Sequence, residues 1–83
     1  MKIYDYNGKK NICGEKIYQM RVKARMSQSE LAAKLQVAGI NIERDSISRI
    51  ETGTRFVADY ELREFARIFR VDILWLVSDE QSG

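Results

Sequence analysis

At 83 residues, 45% hydrophobic and 31% charged, the chain has the size and balance expected of one small globular domain and no more, so disorder is not the default reading. The net charge of +2 is small but uneven: Lys2, Lys9, Lys10, Lys16, Arg21, Lys23 and Arg25 stand against only Asp5 and Glu15 over residues 1–28, while residues 59–83 are acidic on balance. Cys13 is the only cysteine and histidine is absent, so neither an intramolecular disulfide nor a Cys/His metal site is expected.

Residues 1–13 show no regular period; residues 2–6 read as a short extended segment and Asn7-Gly8 as a turn, together a basic, aromatic-bearing arm. A helical period begins after Gly14, with Ile17, Met20 and Val22 apolar, and predicts a first helix over about residues 15–25. Ser27, Gln28, Ser29 and Glu30 match the S-x-x-E capping box, so a second helix starts at Gln28. Leu31, Ala32 and Leu35 give it a buried stripe, and Gly39 stops it. A turn over residues 39–43 leads to a third helix through Ile47, Ile50 and Glu51, ending near Gly53. Its start is open, since Glu43 is a weak cap and Asp45 a good one. After a loop, Asp59 is expected to cap a fourth helix with a stripe of Leu62, Phe65, Ala66 and Phe69, and Asp72 a fifth, almost wholly apolar over residues 73–77. Residues 14–78 thus read as the domain and 79–83 as a flexible tail. The expected core is Ile17, Leu31, Leu35, Ile47, Ile50, Leu62, Phe65, Ala66, Phe69 and Leu74; Trp75 either finishes it or joins Leu76 and Val77 in an exposed patch.

Five short helices with a tight turn between the second and third already suggest a helix-turn-helix. Residue by residue the chain resembles the Cro and lambda-repressor-like, XRE-type regulators. The likeness runs through Gly14, Ile17, Arg21, Ser27-Gln28, Glu30-Leu31-Ala32, Leu35, Ile47-Ser48-Arg49-Ile50-Glu51-Thr52-Gly53, Arg55, Glu61-Leu62, Ala66, Val71, Leu74 and Leu76. It implies an all-α, compact five-helix lambda-repressor-like domain with helices 2 and 3 as the helix-turn-helix, preceded by a short N-terminal arm. The segment between Leu35 and Ile47 is a few residues longer than the usual family turn, from a second helix extended through about Ala38 or from a larger loop.

The resemblance implies sequence-specific binding of double-stranded DNA and places Arg44, Asp45, Ser46 and Arg49 at the base-reading positions of the third helix. The arginine fork matches guanine O6 and N7, and Asp45 suits cytosine N4. Plainer readings exist: Arg44 and Arg49 as phosphate contacts, Asp45 as a helix cap, Ser46 as a helix-start residue. Gln28, Ser48, Thr54 and Arg55 fall where the family meets phosphates, and Lys9, Lys10 and Lys23 either add nonspecific affinity or belong to a solvated surface. Arg21 and Glu51 match a buried, structural ion pair of the family. Trp75, Leu76 and Val77 are candidate dimer contacts, because family members often dimerise near the fifth helix.

A transcription regulator, read as a repressor that acts by operator occupancy, is the expected function; a homodimer on a palindromic operator is the expected form. An antitoxin that binds both DNA and a toxin protein is an alternative, as is an interaction module that kept the fold and lost DNA binding. RNA polymerase is a further candidate partner. No nucleophile–base pair or phosphate-cradling glycine loop is evident, so no enzyme activity, cofactor or small-molecule ligand is expected. No apolar run reaches membrane-spanning length and residues 1–20 lack a signal-peptide core, so a cytoplasmic location is expected.

Overall fold

The computed structural model describes residues 6–79. Five helices follow in order: α1 (Gly14–Lys23), α2 (Gln28–Val37), α3 (Arg44–Thr52), α4 (Asp59–Phe69) and α5 (Ile73–Leu76). The described residues contain no strand, only an isolated antiparallel bridge between Tyr6 and Lys9. Asn7 and Gly8 between them have φ of 52° and 80°. Both central residues at positive φ are the requirement of the tight hairpin turn that Asn-Gly favours.

The helix ends show how local chemistry sets the boundaries. At α2 the capping box closes in both directions: Glu30 N–H donates to Ser27 Oγ at 3.0 Å, and Ser27 N–H to Glu30 Oε1 at 2.8 Å. At α4 the expected cap is displaced by one residue. Ala58 is the N-cap and Asp59 lies inside the helix; alanine carries no acceptor, so Glu61 reaches back to accept from Ala58 N–H at 2.9 Å. Asp72 caps α5 by accepting from Leu74 N–H. The first helix stops two residues before the predicted end, because Arg25 turns into the left-handed region at φ 57°.

The core joins Ile17 of α1, Leu31, Ala32 and Leu35 of α2, Ile47 and Ile50 of α3, Phe65, Ala66 and Phe69 of α4, and Leu76 of α5. Leu62 is partly buried against it. Two further members escaped the sequence pattern, Cys13 and Ile42, because each lies in a connection with no period of its own. One expected member is not in it. Leu74 is 69% exposed whereas Leu76 is fully buried. The Asp72 cap fixes the phase of a four-residue helix, and in a single turn of apolar residues periodicity cannot distinguish the faces. Trp75 packs against the core without being fully enclosed.

Two expectations about the connections meet the structure. The long link before α3 combines both alternatives, a second helix that runs to Val37 with Ala38 as its C-cap and then a loop: Gly39 adopts φ +89°, Ile40 N–H donates to Leu35 O, and the Gln36 amide donates to Ile42 O at 2.7 Å. Buried Ile42 pins this loop to the core. The described part of the N-terminal segment is not a loose arm. Lys10 N–H donates to Gly53 O at 2.8 Å, and Asn11 Nδ2 donates to Ile50 O and Arg55 O at 3.0 and 2.8 Å. The extended reading of residues 2–5 and the tail over residues 80–83 lie outside the described residues.

Candidate nucleic-acid interface

The site is built around α3. Its N-cap, Glu43, makes no side-chain cap bond, and Asp45 sits within the first helical turn, so the helix starts at Arg44. Ile47 and Ile50 turn to the core, which fixes the opposite face outward. On that face Arg44, Asp45 and Arg49 are exposed, and Ser46 and Ser48 are half-buried. Arg44 Nη1 and Asp45 Oδ1 lie 3.8 Å apart with side chains 64% and 90% exposed, a loose surface pair of small energetic weight. Asp45 is therefore not the cap; its charge stands at the positive end of the helix, free to meet a donor.

The C-terminal end of α3 is held as firmly as its start is open. Gly53 at φ +81° lets Thr54 N–H donate to Arg49 O and Gly53 N–H to Ile50 O. Thr54 is exposed, and its hydroxyl bonds Arg49 O and neighbours that of Thr52. At the α1 side, a Cβ on Gly14 would collide with the Ile50 carbonyl oxygen, so only glycine permits this approach of the two helices. Asn11 completes the joint by accepting from Gly14 N–H.

Arg21 and Glu51 are brought together. Nε donates to Oε2 at 2.6 Å and Nη2 to Oε1 at 3.0 Å, with side chains 13% and 5% exposed. The third guanidinium nitrogen, Nη1, donates to Met26 O. Gln28 joins the same carboxylate, Nε2 to Glu51 Oε1 at 3.0 Å. One carboxylate on α3 thus collects donors from α1 and α2, an arrangement that spacing along the chain does not reveal. Gln28 remains at the first turn of α2, where the capping box engages the N–H groups of Ser27 and Glu30 but not those of Gln28 and Ser29.

Arg55, expected at a phosphate, is paired here with a carboxylate. Its two terminal nitrogens donate to the two oxygens of Glu61, each at 3.0 Å, and Nη1 also donates to Phe56 O. This fork is the geometry a phosphate would require, and a carboxylate with 6% exposure already fills it. The buried Glu61 would have its pKa raised by burial alone; the Arg55 hydrogen bonds, the Ala58 N–H and the Arg55 charge outweigh that and lower it.

The candidate dimer contacts separate. Leu76 is buried in the core and unavailable to a partner, while Ile73, Leu74 and Val77 are exposed beside Trp75. Lys16, missed as a structural residue, explains how Trp75 is held. Buried on α1, its ammonium donates to Trp75 O and Ser78 O at 2.7 Å and Ser78 Oγ at 2.9 Å, and lies 4.9 Å from the Trp75 ring centroid.

An open-ended helix start on the surface, braced by a second helix across a tight-packed joint, defines a helix-turn-helix domain of the DNA-binding kind. A family model described as helix-turn-helix matches residues 17–76, and the chain belongs to this Cro/CI-type, XRE family of DNA-binding transcription regulators. Searches of curated proteins and of solved structures find no match. Among the described residues no helix is long and apolar enough to cross a membrane.

Proposed function

We propose that the chain is a sequence-specific regulator that represses by occupying a double-stranded DNA operator. Arg44, Asp45, Ser46 and Arg49 read base edges in the major groove; Gln28, Ser48 and Thr54 hold flanking phosphates. The observation that carries this reading is the outward face of α3, where Arg44, Asp45 and Arg49 are exposed while Glu51 on the same helix is clamped by Arg21 and Gln28. A helix held rigidly at its C-terminal end, with an open polar first turn, is what groove reading needs. We infer a homodimer through the exposed apolar residues Ile73, Leu74 and Val77, which would match a palindromic operator.

Selection of bound sites from random duplexes is the test. It should return a defined motif, with two inverted half-sites if the dimer forms on DNA. Arg44→Ala and Arg49→Ala should each relax the preference at particular positions, while Gln28→Ala should weaken all sequences alike. Uniform effects from all three would reject the division into readers and clamps. Sedimentation that shows only monomer, free and on DNA, would remove the dimer.

A further inference from the structure

We propose that Lys10, carried on the segment before α1, makes the DNA-backbone contact at the α3–α4 edge, in the place where the family resemblance puts Arg55. This rests on the DNA-binding reading above and adds a residue to it. The first observation is that Arg55 is committed to Glu61 through both nitrogens of its fork. The second is that Lys10 is fixed beside the same turn: its N–H bonds Gly53 O at 2.8 Å, and the next residue, Asn11, bonds Ile50 O and Arg55 O.

The side chains of the two neighbouring lysines are used differently. Lys9 Nζ pairs with Glu15 at 3.2 Å, and its methylenes lie where a Cβ on Gly53 would fall. Lys10 is exposed, and among the described residues its ammonium enters none of the ion pairs. It stands over the Phe56 ring, 5.6 Å from the centroid, at the loop that follows α3. The pinned backbone removes most of the ordering that a contact from a loose arm would require. An ammonium held over Phe56, in the same loop as exposed Thr54, suits one phosphodiester oxygen, as a point charge without the fork geometry of arginine. The pinned segment that carries Lys10 therefore belongs to the proposed DNA-binding surface.

The experiment measures affinity for a mixed-sequence duplex and for the selected site across a series of salt concentrations. Lys10→Ala should weaken both about three- to tenfold and reduce the slope of log affinity against log salt by about 0.9, the share of one phosphate contact. Lys10→Arg should restore the slope. Arg55→Met should lower the melting temperature and leave the slope unchanged. An unchanged slope in Lys10→Ala, or a slope lost in Arg55→Met instead, overturns the proposal while the wild-type chain still binds DNA. A wild-type chain without salt-dependent affinity overturns the DNA reading and this proposal with it.

Discussion

Glu51 gathers donors from two other helices. Its oxygens accept from Arg21 twice and from Gln28 once, with 5% of the side chain exposed. Removing it strands a guanidinium that keeps only Met26 O as a hydrogen-bond acceptor, beside the face of the Tyr18 ring. An unpaired charge at this depth costs more than the pair ever contributes to stability. Glu51→Ala should lose roughly 3–5 kcal/mol in urea unfolding, a large fraction of what a domain of this size holds. An unchanged unfolding midpoint would show that water screens Arg21 in place. The pair itself was legible, because Arg21 and Glu51 match the family pattern. The Gln28 link was not, since a bond across 23 residues leaves no local signature.

At the scale of the elements, glycine and arginine take opposite sides of one rule. Helix propensity favours alanine over Gly14 by about 1 kcal/mol. The steric conflict with the Ile50 carbonyl reverses that sign, because backbone oxygen cannot rotate aside as a side chain would. Gly14→Ala should therefore destabilise by about 1–3 kcal/mol, read by thermal unfolding; a gain would show that α1 can shift away from α3. The α4 end shows the converse. Arg70 adopts φ 57° while Val71 N–H bonds Ala66 O and Arg70 N–H bonds Arg67 O, a turn that glycine enters without strain. Arg70→Gly should stabilise by about 0.5–1 kcal/mol, a rise of roughly 2–8 °C in Tm, unless the unfolded chain gains as much freedom. Such ends explain which boundaries could be read. Ser27 with Glu30 spells its cap three residues apart, and Gly39 and Gly53 mark theirs. Arg25 and Arg70 stop helices in a conformation their side chains do not advertise, and Leu74 against Leu76 is settled by a cap rather than by a period.

Over the whole of the described molecule, the elements that flank the helix-turn-helix are tied to distant partners, Asn11 before α1 to the end of α3 and Lys16 of α1 to the end of α5. These ties span 39 to 62 residues, so neither was visible in the order of residues. The loop between α3 and α4 is tied in turn by Arg55 and Glu61, and this tie makes stability depend on pH. The lowered pKa of Glu61 in the folded chain means that the unfolded chain takes up the proton first. Its contribution is complete above the ordinary glutamate value of about 4.3 and is lost as pH falls from there through the folded value. Glu30 is shifted the same way by the Ser27 N–H and hydroxyl bonds, so acid sensitivity alone would not single out Glu61. Glu61→Gln does, because an amide does not titrate in this range. At neutral pH the variant should be less stable than the wild type, having lost the charged partner of Arg55. On acidification the wild type should lose stability more steeply, and the two curves of urea midpoint against pH should converge. Curves that stay parallel through the acid range would mean that Glu61 carries the same proton affinity folded and unfolded, and that Arg55 is not held by its charge. An arginine released in that way would again be free for phosphate, so the acid limb of stability and the salt slope of Arg55→Met test one assignment from two sides.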